Sequence, residues 1–390
     1  MMKYNFRTFM ICGVLFLLLS LGACVAAKSD RSDLREPFST EHSETSAASQ
    51  TPPDVHTGSG PQNRVQNFIE TEDAYYYLYN KRVYVSSKDE PCFYLLCAKP
   101  DCSHSDENCC AFAGDALGLW DGRLYGVSDP LELGIVFSMN LGGSDHRQTA
   151  KVELNQADNG VSGGGYDYFD FYKGCLFYPI LSVADEPPSF VRTDLRTGES
   201  KRLFQDLFRA GFVMRDWMQF TGDDMYFLLQ KGVNGETVFL YRYDLTTEEV
   251  ERICDWPPLV FHWYVENGIV YYYNQENGTF CEYDLASRTL VKEVRTDRGL
   301  GAAYYGEDFI YLIQWEDPGA SRRDLYFYDR TYRPVDELSM KDWEDFMFFT
   351  RDKLFFSSMP GGKITGMIPA SEIGSGHMEI RRLPDPYSIR

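Results

Sequence analysis

Four cysteines and a histidine fall within "LLCAKPDCSHSDENCCAF", residues 95–112, and this cluster has the strongest chemical potential in the chain. The ligand-type residues run Cys97-x4-Cys102-x-His104-x4-Cys109, with Cys110 adjacent and Cys92 upstream. Pro100 and Asp101 favour a turn that brings Cys97 and Cys102 together. In an extended segment Cys102 and His104, two residues apart, point to the same side. "SDEN" then loops back to deliver Cys109. Three thiolates and one imidazole match the ligand set of a closed, structural Cys3His zinc site, although the spacing departs from the C-x2-C finger. The same residues also allow disulfides, Cys97 with Cys109 or Cys102 with Cys110, or a set of free redox-active thiols. His104 favours the metal, because a disulfide has no use for it. Cys110 favours the disulfide, because four ligands already suffice.

No catalytic signature accompanies the cluster. The body holds four histidines, His104, His146, His262 and His377, none in an H-E-x-x-H pattern. "VSGGGYDYFDF" (161–171) is glycine-rich, but no helix follows it to bind a phosphate. Acidic pairs such as Asp223-Asp224 are too numerous to single out an acid and a base without a separation. Cys175, Cys254 and Cys281 stand singly in strand contexts and read as small buried hydrophobes.

The compartment follows from the N-terminus. Lys3 and Arg7 precede an apolar run, Thr8–Leu21, too short for a comfortable membrane span, and it ends in Leu21-Gly22-Ala23-Cys24. That tetrapeptide resembles a bacterial lipobox, so residues 1–23 are expected to be a signal peptide and Cys24 the lipidated first residue of the mature chain. Each acyl CH2 buried in the membrane then contributes about 0.8 kcal/mol. Residues 24–62 are rich in Ser, Thr, Pro and acids, with Phe38 as the single aromatic, which predicts a disordered tether. At about 5–6 Å × √n it spans a few tens of ångströms. The expected location is the extracytoplasmic face of a bacterial cell membrane. A net charge of −20 argues against nucleic acid or anionic lipid as partner.

Residues 63–390 must position any site. They are aromatic-rich (the chain has 27 Tyr and 27 Phe), lack a long 3.6-residue apolar period, and read as all-β. A unit recurs: Gly or Asp, any residue, a residue with β-forming bulk, an aromatic. It begins at Asp73, Gly122, Gly174, Asp224, Gly268, Asp308 and Asp352, at intervals of 40 to 52 residues. Each is a turn opening a strand. Some 16 to 22 residues later most units reach an Asx-type turn, at Asn140, Asp194, Asp244, Asp284 and Asp329. One carboxylate per turn is too few for calcium and suits a backbone cap. About four strands per unit predict a seven-bladed β-propeller of four-stranded blades. Eight blades or paired β-sandwiches are the alternatives.

Lipobox, tether, tandem "YDLTTEE"-type units and the early element carried by Cys97, Pro100, Cys102, His104 and Cys109 together resemble a family of uncharacterised exported lipoproteins. These come from anaerobic Gram-positive bacteria and carry propellers related to the low-density-lipoprotein-receptor type. The resemblance implies a seven- or eight-bladed exported propeller with no assigned activity, and an anaerobic habitat would weigh against disulfides.

In a propeller the innermost strands precede each Gly/Asp turn and line the channel. Trp120, Asp170, Trp217, Gln219, His262, Trp263, Tyr304 and Phe348 are therefore the expected ligand face, suited to stacking on and hydrogen-bonding a sugar or a peptide. The expected role is non-catalytic binding of a carbohydrate or protein ligand by a tethered propeller. A glycan hydrolase or lyase at the channel mouth, or metal and redox handling by the cysteine cluster, are the other readings.

Overall fold

A computed structural model describes residues 67–128, 134–152, 169–180, 188–214, 218–231, 237–258, 260, 262–315, 323–341, 344–358 and 363–384. The signal peptide, Cys24 and the tether lie outside the described residues, as does Trp217. Among the described residues no helix is long and apolar enough to cross a membrane.

The recurring turns open strands Ala74–Tyr79, Arg123–Val127, Cys175–Ile180, Asp224–Lys231, Ile269–Asn274, Phe309–Trp315 and Lys353–Ser358. Each pairs antiparallel with the short strand before its turn and with the strand after it, and a fourth strand closes the sheet outside. The result is seven sheets built from consecutive strands, spanning 68–95, 116–151, 170–203, 212–256, 263–295, 301–339 and 344–382. Blade 4 departs in detail. Its inner strand is split into Phe212–Met214 and Gln219–Thr221, which pair with opposite ends of Asp224–Lys231. Its turn is Gly222-Asp223, and Asp224 already pairs with Thr221, so the repeat there begins one residue earlier than the pattern suggested. A five-residue helix, Gln205–Arg209, joins blades 3 and 4.

Seven separate cores hold the blades together, one at each junction. Phe137 and Met139 of blade 2 meet Tyr76 and Val83 of blade 1, and Tyr178 and Val191 of blade 3 meet Tyr125 and Val136 of blade 2. The series continues round to Phe68, Tyr75 and Tyr77 of blade 1 against Phe348 and Phe355 of blade 7. A ring of junction cores is a propeller and not a pair of sandwiches, which would bury two. Among the described residues no strand is shared between the first and last blades, and side chains meet across the seam. The Tyr75 hydroxyl donates to Asp352 Oδ1 at 3.0 Å across it.

Innermost strands approach closely. A Cβ on Gly118 of blade 2 would sit 2.2 Å from the Phe171 ring of blade 3, so this position admits only glycine if that ring is to stay. The aspartate turns work as the sequence suggested, whereas the Asn140 side chain bonds Arg123 and Ser144 instead. Asp244 Oδ1 accepts the Thr246 and Thr247 N–H groups at 2.8 Å each, and those bonds hold its carboxyl below the ordinary carboxylate range.

Candidate functional site

The segment 96–115 joins blade 1 to blade 2 and is wedged into their shared core. Leu96, Cys97, Cys109, Cys110, Ala111, Phe112 and Ala113 are buried there. Backbone bonds fix both ends: Leu96 N donates to Val83 O at 2.9 Å, Val83 N to Ala111 O at 2.8 Å, and Ala113 N to Lys81 O at 3.0 Å. His146 stacks on Phe137 and its Nε2 donates to Phe112 O at 2.8 Å; burial lowers its pKa.

Within this frame the sequence-nominated ligands converge. One ligand atom each from Cys97, Cys102, His104 and Cys109 lies within 4.8 Å of all the others. The turn at Pro100-Asp101 is closed by Cys102 N donating to Lys99 O at 3.3 Å. The stretch after it is not extended, as the spacing had suggested. His104 takes a left-handed backbone, φ 55, and reaches the cluster by that bend. The return is a turn in which Asn108 N donates to Asp106 Oδ1 at 3.0 Å. His104 Nδ1 lies 3.5 Å from Cys109 Sγ. Zinc bonds of about 2.3 Å to sulfur and 2.0–2.1 Å to nitrogen at tetrahedral angles place those two atoms about 3.5–3.6 Å apart.

Electrostatics fit a cation as well. Burial pushes the Cys109 thiol up to about 12 and the Cys110 thiol up to about 11. Burial also raises Cys97, but bonds from the Cys110 thiol, the Lys99 N–H and the Cys102 and Cys109 thiols overcome it and hold Cys97 below its ordinary value. A bound dication would favour the thiolates by direct attraction. Among the described residues all eight cysteines are free thiols, so neither sequence-suggested disulfide is formed. The cluster can hold a metal ion with four protein ligands and no open position. Cys175, Cys254 and Cys281 are packed in blade-junction cores and burial raises all three thiols.

The expected ligand face divides in two. Trp263, Tyr304 and Phe348 are 1%, 1% and 0% exposed and belong to junction cores, so no ligand reaches them. The reason is that both faces of an inner propeller strand pack on neighbouring blades. His262 is half-buried, its Nε2 3.2 Å from the Tyr304 hydroxyl. Trp120 is half-buried against Gly174, with Arg196 5.7 Å over its ring. Asp170 and Gln219 keep exposed surface and occupy equivalent positions of adjacent blades. At that position each inner strand pairs with the aromatic of the repeat: Ile69, Gly118, Asp170, Gln219, Tyr264, Tyr304 and Phe348 face Tyr76, Tyr125, Phe177, Tyr226, Tyr271, Tyr311 and Phe355. Aligning the seven units on that aromatic singles out Asp170 and Gln219, a signal the sequence held. A cleft of about 520 Å³ on the outer side of the same blades, lined by Phe204, Tyr241, Tyr243, Lys201 and Glu248, has no mark in the sequence.

Burial pushes the Asp170 carboxyl up to about 7 from 3.8. The folded state then keeps a proton that the unfolded chain has lost between about pH 4 and pH 7. Stability therefore falls as pH rises through that window and is flat above it. Asp170→Asn is expected to flatten this slope, by about 4 kcal/mol at most. Denaturant unfolding at pH 4.5 and 7.5 measures it, and equal slopes in both proteins would contradict it.

No family model and no curated protein matches this chain. Among solved structures it is similar to a chain from a study of two prolyl endopeptidases, at 9% identity and a TM-score of 0.55, covering 82% of this chain and 50% of that one. This chain thus spans half the length of that protein. It is also similar to PorZ, a surface component of the type-IX secretion system of Porphyromonas gingivalis (10% identity, 83% and 38% covered, TM-score 0.47). A third is the computationally designed protein Ika8 (10% identity, 78% and 96% covered, TM-score 0.45). The prolyl endopeptidase likeness bears on the fold alone: the chain folds as a seven-bladed β-propeller.

Proposed function

We propose that this chain is a lipoprotein held to the outer face of a bacterial cell membrane through Cys24, whose propeller binds a carbohydrate or protein ligand without chemistry of its own. One zinc ion, held by Cys97, Cys102, His104 and Cys109, serves as a strut between blades 1 and 2. The observation that supports binding is the break in the ring at blades 3 and 4. Five equivalent inner positions are buried, whereas Asp170 and Gln219 put an acid and an amide there and are only half-buried. Polar groups aimed from an aromatic setting are what orient a sugar or a peptide.

The test is calorimetric titration of the folded body with panels of cell-wall oligosaccharides and of peptides. Asp170→Asn with Gln219→Ala is expected to weaken any ligand at least tenfold without unfolding the ring. Unchanged affinity in that double variant, with a ligand in hand, removes blades 3 and 4 as the site. One observation favours a second reading, a glycan hydrolase or lyase: a carboxyl raised to about 7 is suited to act as a general acid. Release of reducing ends from oligosaccharides, abolished in Asp170→Asn, would establish that reading instead.

A further inference from the structure

We propose that the cleft on the outer side of blades 3 and 4 binds a carboxylate that carries an apolar side chain, such as an acylated amino acid or the C-terminus of a peptide. None of its residues belongs to the inner strands that hold Asp170 and Gln219. At about 520 Å³ it has the size of a small-ligand pocket, about 300–1,000 Å³. Blade 3 contributes Lys201 from its outermost strand, and the connector after it contributes Phe204 and Leu207. Blade 4 contributes Tyr243, Glu248 and Val250.

The charges favour an anion. Lys201 and Arg192 both pair with Glu248, Arg192 at 3.3 Å, so two cations share one carboxylate and a positive charge is left over. Asp206, the other acid of the lining, pairs with Arg209 at 3.4 Å. A local positive excess is unexpected on a chain of net charge −20, and half of the Lys201 side chain stays open to meet a ligand. The Tyr243 hydroxyl is buried with no hydrogen-bond partner among the described residues. That is a cost which a carboxylate acceptor would remove.

The apolar part of the ligand has a wall of its own. Phe204 and Leu207 are half-buried and Val250 is exposed, which leaves apolar surface open beside Lys201. Phe204 also takes a left-handed backbone, φ 58, an outlier for a bulky residue. Packing holds it there: its ring stacks on Phe190 and Phe227 with centroids 5.8 and 4.6 Å away and meets Tyr243 edge-on at 5.1 Å. Strain fixed by packing at a pocket wall points to a functional position. Phe204 is the ring that shifts to let a ligand reach the Tyr243 hydroxyl.

The experiment is calorimetric titration of the full chain with N-acetylphenylalanine and N-acetylleucine, and with their uncharged carboxamides. The acids are expected to bind once per chain and to weaken with salt, and the amides to bind at least about tenfold more weakly. Lys201→Met and Tyr243→Phe should each weaken the acids by about tenfold without lowering the melting temperature. No saturable binding of either acid at millimolar concentration overturns the inference. Equal affinity for acid and amide, or wild-type affinity in either variant, overturns it as well.

Discussion

Cys109→Ser is expected to abolish zinc binding and to lower the melting temperature by about 5–10 °C, the largest effect of any substitution in the cluster. Cys109 is fully buried, and its sulfur is close to both the imidazole and the other two thiols. A hydroxyl is a poor zinc ligand, and three remaining donors leave the ion exposed to water. A metal present at about a thousand times its dissociation constant stabilises the folded state by about 4 kcal/mol. For a domain of this size that corresponds to a shift of several degrees. A chelator should lower wild type by the same amount and leave Cys109→Ser unmoved, since both remove one interaction. Elemental analysis gives the stoichiometry, one zinc per chain before and none after. A chelator-insensitive wild type of unchanged melting temperature would rule out the strut.

Phe348→Ala should cost about 3–5 kcal/mol, the usual range for removing a buried aromatic. The ring is fully buried, with centroids 5.0 Å from Phe355 and 6.1 Å from Tyr77, and it also touches Phe68. Its position makes the loss more than a cavity. Among the described residues blades 7 and 1 share no strand, and this aromatic cluster and the Tyr75–Asp352 bond hold the ring shut. Opening there exposes the seam without unravelling a sheet. The expected signature is early proteolytic cleavage near the seam and a broadened denaturant transition. A loss under about 1 kcal/mol with a sharp single transition would show that other contacts close the ring.

The blade count was legible because each blade repeats a turn and an aromatic, and turn chemistry is local. The cluster was legible for the same reason: Cys97 to Cys109 spans one connector, so ligand type and spacing carry most of the geometry. The bend at His104 was not, since a left-handed histidine has no sequence mark, and the ligands converge by a route that alternation does not describe. Trp263, Tyr304 and Phe348 were misplaced because alternation separates inside from outside only where one face meets water. An inner propeller strand has a blade on either side. The offset in blade 4 came from Asp223-Asp224, where either residue satisfies the turn pattern and only pairing to Thr221 distinguishes them. Asp170 and Gln219 are nominated by their place just before the turns, but their equivalence needs the register.

The side-chain seam also sets the order in which the molecule can form. Cys97 and Cys109 are twelve positions apart, so loop closure there is fast and the first two blades can consolidate around it early. Tyr75 and Asp352 are 277 positions apart, and their contact waits for the whole chain. Contacts this distant slow folding, and until they form the first blade presents Phe68, Tyr75 and Tyr77 to solvent. The slowest, most aggregation-exposed stage of maturation is therefore the docking of the last wedge onto the first.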